Sequence, residues 1–182
     1  MTRDVVRYSA GSKFFHWLMA IVVIGMLSFS FFLDDLPETY QSVAYMLHKS
    51  VGLTVLFLMF ARFFWIQYCG KPALPSTVPG WQKIMSRIMQ YSLYVLLISM
   101  AMCGWLMSVA AERVPTYFGM FRMTLPIAPN KAFAKLMDQS HKTIAWVLIV
   151  IIVLHVAGAI KHHFIDKDNV LKRMLPGGIV VE

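Results

Sequence analysis

Four long apolar runs decide what this chain can fold into. They cover about residues 14–33, 43–66, 84–111 and 139–163. Each reaches the roughly 20 residues that a helix needs to cross the hydrocarbon core of a bilayer. Inside lipid, backbone N–H and C=O groups must find partners within the segment, so such runs fold as helices. The expected architecture is all-α: an integral membrane four-helix transmembrane bundle, with residues 1–182 forming a single domain. Polar connectors separate the runs. Asp34, Asp35, Pro37 and Glu38 follow the first, and Pro72, Pro75, Pro79 and Gly80 break the chain after the second. The longest connector, Glu112–Asp138, holds Pro115, Pro126, Pro129 and the aromatic segment Tyr117-Phe118-Gly119. Asn130 is placed there to cap a short interfacial helix over Lys131–Met137.

Charge sets the orientation. Only 14% of the residues are charged, where a soluble domain carries about a quarter. The net charge of +8 would suit a nucleic-acid partner, but the basic residues flank the apolar runs instead of forming a stripe. With the N-terminus in the cytoplasm, eleven Lys and Arg lie on the cytoplasmic side and six on the other. That asymmetry predicts both termini cytoplasmic, a multi-pass chain and no nucleic acid. The first run lacks a convincing small-residue cleavage site and is expected to be a retained span. Cys69 and Cys103 form no CxxC pair and imply no disulfide framework.

Imidazoles inside these runs are costly and need a reason. The fourth run carries His141, His155 and, at its end, His162. The fourteen-residue step from His141 to His155 returns to nearly the same helix face about 21 Å further along. Topology gives each histidine a depth. His16 is early in an in-to-out span, on the cytoplasmic half. His48 and His141 are early in out-to-in spans, on the outer half, and His155 is inner. Two pairs at matched depth result: His48 with His141, and His16 with His155. Two imidazoles facing one another from neighbouring helices are the axial pair that a haem iron takes. Two such pairs, about 20 Å apart, make a transmembrane electron path. A zinc site would want a third ligand at each depth. A proton pathway would more often carry intramembrane carboxylates, which the apolar runs lack.

Other residues fit around these pairs. Gly52 follows His48 by one turn and Gly158 follows His155 by nearly one; each leaves room for a porphyrin or serves helix packing. Arg62, at the cytoplasmic end of the second run, either pairs with the inner haem's propionates or snorkels to the interface.

The residues Phe15-His16-Trp17, His48-x3-Gly52-x9-Arg62, His141-x13-His155 and the closing segment from His162-His163-Phe164 to Leu175-Pro176 resemble the bacterial cytochrome b561 family. The resemblance covers nearly the whole chain. It implies a bacterial inner-membrane protein with two haem b groups, iron-ligated by His16, His48, His141 and His155. It also implies an oxidoreductase that oxidises superoxide at the periplasmic side and reduces ubiquinone, with His162 matching a quinone-site histidine and expected to be catalytic. Bis-histidine iron has no open position, so electrons enter and leave by outer-sphere transfer. Lys49, Lys142, Arg113, Arg122, Lys131 and Lys135 either form a positive funnel for the superoxide anion or contact lipid headgroups. The competing reading is a membrane cytochrome subunit that relays electrons between a periplasmic redox protein and the quinone pool.

Overall fold

The structure is a computed structural model that describes residues 8–74 and 78–177. Four helices dominate it: α1 (Ala10–Ser30), α2 (Glu38–Cys69), α3 (Gly80–Ala110) and α4 (Lys131–Phe164). All four are long and apolar enough to cross a membrane. A small hairpin, β1 (Thr116–Tyr117) and β2 (Phe121–Arg122), lies between α3 and α4.

The helix starts follow capping chemistry. The Ser9 side chain accepts from the Ser12 amide at the head of α1, and the Asn130 side chain accepts from the Phe133 amide at the head of α4. Pro37 and Pro79 precede α2 and α3, where their missing N–H costs nothing. Gly70 ends α2 with a φ of 77°, which a side chain would resist.

One expectation needs correction. Asn130 does cap a helix, but Lys131–Met137 is not a separate interfacial element. It forms the first turns of α4, which runs unbroken for 34 residues. The physical reason is the absence of any Gly or Pro between Lys131 and Gly158. At about 1.5 Å per residue the helix exceeds the roughly 30 Å hydrocarbon core, so its ends reach into the interface.

Close packing runs α1 on α2, α2 on α3, and, most extensively, α3 on α4. The approaches of α4 to α1 and to α2 are open by comparison. The central core joins Met19, Val23 and Leu27 of α1 to Val55 and Met59 of α2, with Ile149 and Ile152 of α4 packed against it. The outward faces carry exposed Ile21, Phe57, Val95, Trp146 and Val153, as a lipid-facing surface should. Within lipid these helices hold together by van der Waals packing, since the surrounding tails are as apolar as the core.

Candidate functional site

The two open helix approaches are where the histidine pairs lie. His16 of α1 faces His155 of α4 with ring centroids 6.2 Å apart. His48 of α2 faces His141 of α4 at 6.3 Å. Imidazole nitrogens bind a first-row metal at about 2 Å, so two axial rings on one iron have centroids roughly 6 Å apart. Both pairs meet that spacing. The apolar core of Met19, Val23, Leu27, Val55 and Met59 lies between them.

One ring of the outer pair is anchored to the backbone of α3. His141 Nδ1 donates to the Met100 carbonyl at 2.8 Å. A carbonyl only accepts, so the proton sits on Nδ1 and Nε2 keeps its lone pair for a metal. Gly104 of α3 lets the ring lie this close: a Cβ there would meet His141 Cε1 at 3.2 Å and Nδ1 at 3.3 Å. A small cavity of about 40 Å³ is lined by His48, Lys49, Gly52, Gly104, Trp105 and His141, among others.

The connector after α3 folds over this end. Ser50, fully buried, accepts from the Phe118 amide at 2.9 Å. The Tyr117 and Thr54 hydroxyls meet at 3.0 Å, and Trp105 Nε1 donates to the Met123 carbonyl at 2.8 Å. Phe118 and Gly119 at the hairpin turn both have positive φ, 47° and 75°. Gly119 takes that conformation without strain, while Phe118 adopts it at some cost.

The inner pair has a cationic neighbour. Arg62 Nη2 donates to His16 Nδ1 at 3.3 Å, and the guanidinium lies 5.8 Å from the Tyr94 ring centroid. Arg62 Nε and the Tyr94 hydroxyl are buried without a hydrogen-bond partner, as is His48 Nδ1. The segment after α4 closes this end of the bundle: Lys13 Nζ donates to the Leu175 carbonyl at 3.0 Å, and Trp17 Nε1 to Met174 at 2.9 Å.

These residues fit haem. Each pair offers two opposed imidazoles, and a Cβ placed on Gly25, Gly52 or Gly158 would meet nothing within 4 Å. Gly52 lines the cavity beside His48 and His141, and Gly158 lies just under one turn past His155. The orphaned Arg62 Nε suits a carboxylate, the group that a haem propionate brings.

The remaining sequence candidates lie elsewhere. His162 is two turns past His155, at the end of α4, with Nδ1 2.6 Å from Asp168 Oδ2 and 3.4 Å from Asp166. Lys161 is engaged by Asp166 at 2.8 and 2.5 Å. On the outer side Lys142 pairs with Asp138 at 2.9 Å, and Lys49 donates to the Arg113 carbonyl at 3.0 Å. Arg113, Arg122, Lys131 and Lys135 are exposed. The six outer cations share their side with Asp34, Asp35, Glu38, Glu112 and Asp138, so no broad positive field builds up there. Lys49 lines the cavity beside His48 and His141.

Three contacts around the candidate residues escaped the sequence reading: those of the Met100 carbonyl, the hairpin cover and Asp168. A backbone carbonyl has no residue signature. The other two depend on positive-φ turns that no local pattern announced.

A family model described as prokaryotic cytochrome b561 matches residues 7–177. Cytochrome b561 homolog 2 of Escherichia coli K12 is 36% identical over 177 residues, covering 96% of this chain and 94% of that protein. Cytochrome b561 homolog 1 of the same organism is 26% identical, covering 93% and 97%. A protein of Yersinia pestis named probable superoxide oxidase CybB is 28% identical, covering 93% and 96%. Four spanning helices and this kinship make the chain a multi-pass protein of the bacterial inner membrane. It belongs to the prokaryotic cytochrome b561 family of haem b membrane electron-transfer proteins.

Proposed function

We propose that residues 1–182 act as one di-haem cytochrome domain that moves electrons from superoxide on the periplasmic side to ubiquinone on the cytoplasmic side. The observation that carries this reading is the pair of matched histidine couples, 6.2 and 6.3 Å across, at opposite ends of an apolar layer. His16 and His155 would hold the inner haem, and His48 and His141 the outer one. Haem iron held by these imidazoles would supply a one-electron couple. Both termini face the cytoplasm, and the hairpin connector faces the periplasm.

Each residue then has a task. Arg62 pairs with propionate at the inner site. Gly52 and Gly158 leave the porphyrin edge unobstructed. Lys49 gives the outer pocket a local positive charge that favours an anion. Two superoxide anions give up one electron each, and one ubiquinone takes both electrons with two protons from the cytoplasmic side. His162 stands at that exit and passes a proton to the quinone oxygen. Support for superoxide as donor comes from the name carried by the Yersinia relative and from the cation beside the outer pair.

A second reading draws on the hairpin. Phe118, Met120 and Phe121 are all exposed at its tip, an apolar group that suits docking of a periplasmic redox protein. The chain would then relay that partner's electrons to the quinone pool. Stopped-flow mixing of the purified haem-loaded protein with superoxide, followed by ubiquinone, separates the two. Rapid haem reduction and stoichiometric quinol formation support the oxidase; reduction no faster than superoxide's own decay supports the relay.

A further inference from the structure

We propose that Asp168 is the positioning residue for His162, fixing which of its two nitrogens carries the transferable proton. This rests on the reading of His162 as the quinone-side proton donor. Asp168 Oδ2 lies 2.6 Å from His162 Nδ1. Its other oxygen, Oδ1, accepts from the Val170 amide at 2.9 Å, and its own amide donates to the His162 carbonyl at 3.1 Å. The carboxylate is therefore held on both oxygens and on its backbone.

The turn that brings it there is unusual. Lys167 adopts a φ of 53°, a left-handed conformation that a lysine takes only at a cost. That cost doubles the chain back so that Asp168 meets the helix it has just left. Of the charged groups around His162, Asp166 is a weaker partner: its oxygen is 3.4 Å away and its charge is offset by Lys161. His163 points its Nδ1 into a buried place without a partner.

A carboxylate can only accept, so His162 keeps a proton on Nδ1 throughout. The proton that moves is the one on Nε2. In the His–Asp ion pair Nε2–H donates to the quinone oxygen. After transfer the ring is neutral with Nδ1–H still bound to Asp168, and Nε2 is reprotonated from cytoplasmic water. The two electrons come from the donor side as described above; the pair supplies one of the two protons per turnover and is recharged for the next.

Asp168→Asn tests this with little change in shape. An asparagine oxygen retains the bond from the Val170 amide, while its NH₂ faces His162 Nδ1 and forces that nitrogen to accept. The tautomer reverses to Nε2–H, and the ring loses the donor arrangement that the ion pair maintains. Solution ¹⁵N spectra of the full, haem-loaded chain labelled at histidine, with His162 assigned through His162→Gln, should show Nδ1–H in the native neutral ring and Nε2–H in the variant. Haem content should be unchanged. The kcat for quinone reduction should fall at least about tenfold with KM changed less than about threefold, and Asp168→Glu should recover part of it. An unchanged tautomer overturns the pairing. A reversed tautomer with native kcat overturns its role in proton delivery. If His162→Gln itself reduces quinone normally, the underlying assignment of His162 fails, while the tautomer spectra still judge the Asp168 contact.

Discussion

His141 Nδ1 donates to the Met100 carbonyl at 2.8 Å, which ties the outer histidine of α4 to the backbone of α3. α3 contributes no histidine of its own, yet it sets the tautomer and the tilt of one. The extensive α3–α4 contact therefore serves the site as much as the fold. A ring fixed on one nitrogen by a backbone acceptor presents the other as a lone-pair donor without rearrangement.

Gly104 is the weak point of that arrangement. A valine there places side-chain carbon against a ring already 3.2 Å from the position of a Cβ. Overpacking of this kind costs about 1–3 kcal/mol, and displacing the ring breaks the Met100 bond. Gly104→Val should lose the outer haem while keeping the inner one. Haem quantification with redox-resolved spectra checks this; retention of both haems with native spectra would refute it.

Arg62 governs the inner pair. Its Nη2 lies 3.3 Å from His16 Nδ1, and its buried Nε, without a partner of its own, suits a propionate. Arg62→Leu should lower the inner haem's midpoint potential by on the order of 50 mV through loss of a nearby positive charge. The outer potential should stay within measurement error. Potentiometric titration followed in the visible spectrum reads both values in one experiment.

Charge on the outer side acts locally. Lys142 is paired with Asp138, the other five outer cations share their side with four further carboxylates, and Lys49 lies beside the pocket. Lys49→Gln should slow superoxide-driven reduction about threefold or more at low salt, and Lys142→Gln should have little effect. Raising ionic strength should narrow the gap between native protein and Lys49→Gln. Equal slowing by both substitutions would favour a diffuse field over a local one.

Much of this molecule was legible before its structure. The four apolar runs gave the helices because a bilayer admits no other arrangement of such segments. The depths of His16, His48, His141 and His155 followed from helix rise and alternating direction alone. What stayed hidden depends on tertiary geometry. The cover over the outer pair needs Phe118 and Gly119 in left-handed conformations, and the Asp168 contact needs Lys167 in another. Neither leaves a periodic trace. Asn130 was readable as a cap, but the length of the helix behind it was set by the absence of breakers over the next twenty-seven residues.

Haem counting on histidine variants tests the paired arrangement most directly. Two haem b groups per chain are predicted for the native protein, spectroscopically distinguishable by potential. His48→Ala and His141→Ala should each leave one haem, and the same one; His16→Ala and His155→Ala should each leave the other. A single haem in the native chain, or loss of the same haem from His48→Ala and His155→Ala, would contradict it.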